Sequence, residues 1–491
     1  MRSTISFLLD NQLISEDFSR TATPTTTVLN YLRSHPLHKG VKEGCAEGDC
    51  GACTVVLGEL ASDGHVQYKA VDSCLVFLPM LHGKQLVTVE DLGTSTGEIH
   101  PVQQAMVETG GSQCGYCTPG MIMSLFSLYK NHNAPSRDEI DDALTGNLCR
   151  CTGYKPIVEA AAKSCVHRGV DSLTKNEPHV AELLRAIPKS SGLIKTETQT
   201  YFQPTTLLEA LTFKHQHPDA IVICGATDVA LRVTKKQELL AKILDLSFVG
   251  ELKEMREDNN ALHIGAGVVL SDVHPRMTKD FPSLTEMFNV FGSLQIRNLA
   301  TLGGNLGSAS PIGDALSALI PLNARVVLQS VSGKREVPLG NYVIGYRKAV
   351  RTDDELIVEV ILPKPKRDTI VKWYKVSKRK DLDISTVSGG FSLTFDSDEK
   401  ISSATLAYGG MAERVKQATQ AENFLLGRRW TRDTVEHAMP LVDEEFTPIS
   451  DARGSAEFRR VVARNLLLKF WSETNREGGS NGEGYAAPDG A

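Results

Sequence analysis

The amino-acid sequence predicts a multidomain α+β protein, and three observations lead there. At 491 residues the chain exceeds what one hydrophobic core organises. Strand-type alternation opens the chain and returns from about residue 385, with helices following to Trp471. In between, residues 101–168 hold four short helix-like segments, and a strand-turn-helix pattern starts near residue 220. The domains expected are 1–90 (strands around a glycine-rich loop), 91–167 (four helices), 196–370 (α/β) and 371–474 (α+β). Residues 168–195, with KNEP and PKSSG, are expected to be a linker, and the Gly-rich residues 475–491 a disordered tail.

A hydrophobic content of 41% and a charged content of 23% exclude fibre and wholesale disorder. A net charge of −6 argues against a nucleic-acid or acidic-membrane surface, which needs a basic excess. The opening MRSTISFLLDNQLISEDF is interrupted by Asp10 too soon for a signal peptide, and reads instead as strand, turn at Asp10-Asn11-Gln12, strand. No window reaches the roughly 18 to 20 apolar residues of a membrane span. The expected location is the cytoplasm, where thiols stay reduced, so ten cysteines call for a role other than disulfides.

Eight of them fall into two groups of four. In EGCAEGDCGACTVVLG the spacing of Cys45, Cys50 and Cys53 opens the plant-type [2Fe-2S] pattern, which Cys74 can complete. Gly40, Gly44, Gly48 and Gly51 are expected to turn backbone N–H groups toward the sulfurs at φ values other residues avoid. TVVL then returns the loop to a sheet. Cys114, Cys117, Cys149 and Cys151 form the second group, in loops between helices that begin at Pro101, near Gly120, after Ser136 and after Pro156. Ser136 and Glu139 make a capping box, and the dipole of the last helix favours an anionic group near Cys151. Structural zinc is the alternative for each group, although paired C-x2-C knuckles are its usual form. Cys165 and Cys224 are left over, each expected to be a small buried apolar residue.

A plant-ferredoxin-like module followed by QCGYCTPGM and NLCRCTGY resembles the iron-sulfur part of the xanthine dehydrogenase and aldehyde oxidase family of molybdenum hydroxylases. The resemblance implies a β-grasp first domain and a four-helix second domain. It makes Cys45, Cys50, Cys53 and Cys74 the metal ligands of one [2Fe-2S] cluster, and Cys114, Cys117, Cys149 and Cys151 those of another. It also places the second cluster nearer a molybdopterin, with Gln113 reaching toward the pterin.

Two glycine-rich stretches mark the next domain. AIVICGATDVAL, residues 220–231, has the strand, turn and helix start that can present N–H groups to phosphate. ATLGGNLGSASPIGD, residues 300–314, is expected to be a turn permitting close approach of a bulky anion, with Asp314 opening an apolar helix. Neither is G-x-G-x-x-G, and GAGVVL at 265 lacks the third glycine, so a Rossmann domain is not expected. The stretches resemble the FAD domain of the same family. That resemblance implies cofactor contacts from Val222, Ile223, Cys224, Gly225, Ala226, Thr227, Asp228, Val229, Phe291, Thr301, Asp314, Ile357 and Lys375. Phe291 would lie near the isoalloxazine, and Asp314 would bind a polar edge. KPKRDTIVKWYKVSKRK, residues 364–380, carries eight basic residues against one acid, which suits either anionic cofactors or a solvated strand pair. Asp381 and Asp383 are implied neighbours of NAD.

Iron-sulfur clusters pass single electrons and a flavin handles one or two, so the parts describe an electron conduit ending at NAD. The catalytic molybdenum centre has no room here and is expected on a large molybdopterin-binding partner, in a pair of heterodimers. Within the family the fusion of iron-sulfur and flavin parts resembles the small subunits of two-subunit xanthine dehydrogenases, whose complexes oxidise hypoxanthine and xanthine to urate in purine catabolism. The alternatives are the equivalent subunit of an aldehyde or N-heterocycle dehydrogenase, a stand-alone iron-sulfur flavoprotein reductase, and a docking or zinc-scaffold protein without activity.

Overall fold

The structure is a computed structural model and describes residues 2–18, 22–93, 97–166, 170–366 and 368–475. It divides into two compact units. One comprises residues 1–310 with Ala324–Pro363 and Arg379–Ile384; the other comprises Pro311–Asn323, Lys364–Lys378 and the chain from Ser385.

The first unit opens with the expected hairpin. Strands Thr4–Leu9 and Gln12–Asp17 pair through Asp10 and Asn11, whose φ values of 54° and 56° suit a two-residue turn that follows strand twist. The hairpin joins a five-stranded sheet in the order Gln12–Asp17, Thr4–Leu9, Gln85–Val87, Thr54–Leu60, Val66–Asp72, with Thr4–Leu9 and Gln85–Val87 parallel. Helix Val28–Ser34, capped by Thr27, buries Val28, Leu29 and Leu32 against Phe7, Val55 and Phe77. Each such side chain contributes about 1.5–3 kcal/mol. This is a mixed sheet grasping one helix, as the sequence implied.

Helices Pro101–Glu108, Thr118–Asn131, Arg137–Leu144 and Lys155–Val166 form the second domain, and the Ser136/Glu139 capping box is present. The linker expected over 168–195 is corrected by the structure. Ser172–Ala186 is a helix capped by Asp171, and strand Gly192–Lys195 follows it. Pro178 lies inside that helix and reads as a breaker, at a cost of about 3 kcal/mol. Leu173, Val180, Ala181 and Leu184 outweigh it by joining the core of the helical domain, at about 1.5–3 kcal/mol for each larger side chain.

The α/β part carries a four-stranded sheet in the order Gly192–Lys195, Thr200–Gln203, Lys242–Asp245, Ile221–Ile223, its last three strands parallel. A five-stranded antiparallel sheet runs Met255–Glu257, Ala261–Gly265, Leu356–Pro363, Arg325–Ser330, Gly333–Pro338. The turn expected across residues 300–314 is instead a short helix, Leu302–Gly307, capped by Thr301.

In the second unit, strands Thr369–Val376, Val387–Phe395, Ile401–Gly409 and Lys416–Gln417 form an antiparallel sheet accompanied by helices Thr419–Leu425, Arg432–Glu445 and Ala456–Thr474. Residues 311–323, from within the span expected as the α/β domain, pack in this unit. Helix Asp314–Leu319 is buried along its whole length. Its Ser317 carbonyl sits so close to Gly390 that a Cβ there would come within 1.8 Å, and Trp373 Nε1 donates to Ser317 Oγ at 3.0 Å. The basic stretch 364–380 contributes one strand, Thr369–Val376, rather than a strand pair. Residues 476–491 of the expected tail, and Arg367, lie outside the described residues.

Candidate metal centres and flavin site

The first group of thiols sits on the loop before strand Thr54–Leu60 and just after strand Val66–Asp72. Cys53 and Cys74 are buried, with their sulfurs 3.4 Å apart, and Cys45 is in hydrogen-bond contact with Cys50. The Glu47 and Asp49 N–H groups donate to Cys45 Sγ at 3.4 and 3.3 Å. The Cys45 thiol is drawn down to about 5, first by the Cys50 thiol and then by those N–H groups, against the opposing effect of burial. A thiolate is the form that binds iron.

The expected glycine roles divide. Gly48 and Gly51 do adopt φ of 81° and 65°. Gly40 and Gly44 do not; they are small because Val89 and the Cys50 sulfur approach within 2.4 and 2.7 Å of where a Cβ would stand.

In the helical domain Cys114 pairs with Cys151 and Cys117 with Cys149, and Cys114 also lies near Cys149. Cys114 and Cys151 are exposed, as is Gln113 beside them. The Thr152 hydroxyl lies 3.2 Å from Cys149 Sγ. Among the described residues no three His, Cys, Asp or Glu side chains converge on a single metal ion; the sulfurs meet two by two. Two pairs of thiols per group fit a two-iron cluster, which takes two thiolates on each iron. Cys165 is buried, as expected, in the core of the helical domain.

The two glycine-rich stretches of the flavin-type domain, distant in sequence, meet. Thr301 Oγ1 donates to the Cys224 carbonyl at 3.4 Å, and a Cβ on Gly225 would stand 1.9 Å from the Leu299 carbonyl. Gly225 and Ala226 both have positive φ, 91° and 60°, which turns the chain sharply after strand Ile221–Ile223. Val222 and Cys224 pack on a buried apolar cluster, and Asp228 is held by Arg347 at 3.0 and 3.2 Å. Gly307 sits against Ile357, and Phe291 is buried. The backbone-lined surface these glycines create is what a large anionic cofactor requires.

Asp314 and Lys375 belong to the C-terminal unit, where they form a buried ion pair at 3.0 Å, and the Ser385 hydroxyl donates to the other Asp314 oxygen at 2.5 Å. Asp383 accepts from the Arg379 N–H at 2.9 Å, and Asp381 is half-buried.

Sequence reasoning missed several residues. Asp72 is fully buried with Oδ1 3.7 Å from Cys53 Sγ, and Asn147 and Gln295 lie between the domains of the first unit. The only signal for them was nearness to a cysteine, for Asp72 and Asn147; Gln295 carried none.

Comparison with known proteins agrees with these domains. Residues 88–162 match the [2Fe-2S] binding domain, 195–365 the FAD binding domain in molybdopterin dehydrogenase, and 372–474 the CO dehydrogenase flavoprotein C-terminal domain. The iron-sulfur and flavin domains are of the molybdenum hydroxylase type. Xanthine dehydrogenase 1 of Arabidopsis thaliana is 32% identical over 91% of the chain, and the chain spans 38% of that protein's length. Carbon monoxide dehydrogenase from Hydrogenophaga pseudoflava shares the fold over 56% of this chain and 96% of its own, at 24% identity and a TM-score of 0.53. Quinoline 2-oxidoreductase from Pseudomonas putida 86 is 25% identical over 57% of this chain and 98% of its own, with a TM-score of 0.51. Among the described residues no helix is long and apolar enough to cross a membrane.

Proposed function

We propose that this chain is the iron-sulfur and FAD subunit of a two-subunit, cytoplasmic xanthine dehydrogenase. It receives electrons from a molybdopterin-binding partner that oxidises hypoxanthine and xanthine to urate, and delivers them to NAD+. The observation that supports it best is the gathering of eight thiols into two quartets, in one compact unit with the two facing glycine-rich stretches. In this proposal Cys45, Cys50, Cys53 and Cys74 hold one [2Fe-2S] cluster and Cys114, Cys117, Cys149 and Cys151 the other. Val222 to Val229, Phe291, Thr301, Asp314, Ile357 and Lys375 bind FAD.

When bound, these groups interconvert one-electron and two-electron steps. The chain's own residues prepare for that. The Glu47 and Asp49 N–H groups offset negative charge on Cys45, and the Thr152 hydroxyl does so on Cys149. Burial of Cys53 and Cys74 keeps water from one pair of sulfurs. The exposed Cys114–Cys151 edge, with Gln113, gives the partner access to the other quartet. The assembly proposed is a pair of heterodimers.

Co-production of the full chain with a molybdopterin-binding partner tests the proposal. The expected result is two distinct [2Fe-2S] electron paramagnetic resonance signals after dithionite, bound FAD, and NAD+ reduction that depends on xanthine. Oxidation of an aldehyde or an N-heterocycle in place of xanthine reassigns the substrate. Zinc in place of iron overturns the cofactor assignment.

A further inference from the structure

Asp314 and Lys375 form their ion pair inside the C-terminal unit, and the groups that fix them belong to that unit as well. Ser385, 1% exposed, gives its hydroxyl proton to Asp314 Oδ1, while Lys375 Nζ holds Oδ2 at 3.0 Å. An ionised carboxylate offers about two acceptor positions on each oxygen, so one bond to each leaves capacity for a donor on a cofactor. Lys375 alone would not set the carboxylate plane, because an ammonium is a point charge that either oxygen satisfies. The Ser385 hydroxyl removes that choice.

The residue after Ser385 is gripped from two sides. Thr386 N–H donates to the Val376 carbonyl at 2.8 Å, beside Lys375, and the Thr386 carbonyl accepts from Arg459 Nη1. Arg459 lies on helix Ala456–Thr474 and is 2% exposed. Its Nη1 also donates to the Gly410 carbonyl at 2.9 Å, and its Nη2 pairs with Asp451 at 2.7 Å. Its Nε has no partner among the described residues, so the two terminal nitrogens carry its bonding. Gly410 N–H in turn donates to the Pro311 carbonyl at 2.9 Å, three residues before Asp314. One guanidinium thus ties down both the strand end that follows Ser385 and the segment that leads into Asp314. Glycine is needed at 410, where φ is 78° and a Cβ would stand 2.3 Å from the Thr386 carbonyl and 3.0 Å from Arg459 Nη1. A separate hold acts on the Asp314 backbone: its carbonyl accepts from the Ser317 hydroxyl at 3.0 Å. That bond leaves the carboxylate to Lys375 and Ser385.

We propose that Ser385 and Arg459 are positioning residues for the flavin: Ser385 sets the plane of the Asp314 carboxylate, and Arg459 holds Ser385 and the approach to Asp314 in place. This rests on the reading of Asp314 as an FAD contact given above. Neither residue touches the cofactor; both act through Asp314, by keeping its remaining acceptor positions turned the same way before and after binding. Such preorganisation removes an ordering cost from binding.

The test uses the full chain, loaded with iron and sulfide, from which FAD is removed and then returned; quenching of flavin fluorescence gives the dissociation constant. Ser385→Ala is expected to weaken FAD binding about tenfold, the size of a hydrogen bond to a charged group. Arg459→Lys keeps a positive charge against Asp451 but cannot fork across two carbonyls, and is expected to weaken binding less. Both variants are repeated in an Asp314→Ala/Lys375→Met background, which leaves neither charge of the pair unpartnered. There each is expected to have no further effect, because residues that act through Asp314 have nothing left to position. Thr474→Val, which breaks the Trp430 bond at the far end of the same helix, is expected to lower Tm and leave the dissociation constant unchanged. An unchanged constant in Ser385→Ala or in Arg459→Lys overturns the role of that residue, as do equal losses with and without Asp314. Should Arg459→Lys not fold, Asp451→Asn, which loosens the same guanidinium from a more exposed position, takes its place in the comparison. Undiminished FAD binding in the Asp314→Ala/Lys375→Met background is a separate outcome, which overturns the reading of Asp314 and this inference with it. An unaltered chain that takes up no FAD overturns the flavin assignment itself.

Discussion

In the strand domain, Cys53 and Cys74 are buried and Cys45 and Cys50 half-buried; in the helical domain, Cys117 and Cys149 are half-buried and Cys114 and Cys151 lie exposed along one edge. The glycines record the difference. Gly48 and Gly51 have positive φ and would also drive a Cβ into Leu75 and Ile296, or into the Gly146 carbonyl. Gly115 and Gly153 have φ of 81° and 67°, yet nothing stands within 4 Å of where their Cβ atoms would be. In one loop glycine serves conformation and close packing together, and in the other conformation alone. The first loop also meets the flavin-type domain, since Lys235 Nζ donates to the Cys45 carbonyl at 3.1 Å and pairs with Glu47 at 3.3 Å. The first quartet thus lies beside the flavin-type domain, and the second opens at the surface.

Ligand removal is the strongest way to break this comparison. Cys53→Ser is expected to abolish one paramagnetic signal, to lower iron from about four to about two atoms per chain, and to lower Tm, because binding energy at a buried centre is folding energy. Cys114→Ser is expected to abolish the other signal with a smaller fall in Tm. If the two variants lose the same signal or the same stability, the two quartets are not separate centres of unequal burial.

Glycine replacement sharpens it. Gly51→Ala combines a disfavoured φ with overpacking and is expected to cost about 2–4 kcal/mol in urea unfolding. Gly115→Ala carries the φ cost alone and is expected to cost about 1 kcal/mol. Equal costs would mean that the first loop can relax away from Asn147.

The smallest effect is in the pH dependence, where two carboxyls, Asp91 and Asp171, act with opposite sign. Burial, with Asp10 beside it, pushes Asp91 up to about 7 against hydrogen bonds from Thr88. Its favourable protonated form is complete below about pH 4, the unfolded value, and is lost as pH rises through 7. Asp171 caps helix Ser172–Ala186; burial would raise it, but His100, the Thr174 N–H and the Lys130 ammonium hold it well below the usual carboxylate range. Its contribution is present above about pH 4 and is lost on acidification below it. Asp91→Asn is expected to flatten the stability profile between pH 4 and 7, and Asp171→Asn the acid limb, each measured as Tm against pH.

What was legible in the sequence was local. The hairpin at Asp10-Asn11, the capping box at Ser136 and the spacing of Cys45, Cys50 and Cys53 are all decided within a few residues, where turn geometry and caps act. The helix at Ser172–Ala186 was hidden because Pro178 dominates the local pattern, while the apolar face that outweighs it needs the helical domain to bury it. Helix Asp314–Leu319 was recognised as a helix, but nothing local says that its apolar surface is covered by strand Val387–Phe395 of the C-terminal unit.

The sequence by itself determined which eight sulfurs form two sets, because thiol spacing along a short loop limits what the loop can enclose. Only the tertiary structure decided which set is the more buried, which the more exposed, and that Asn147 and Gln295 lie between them. Those relations depend on three domains closing on one another, and a hydrogen bond between residues 148 positions apart leaves no period or spacing in the chain that forms it.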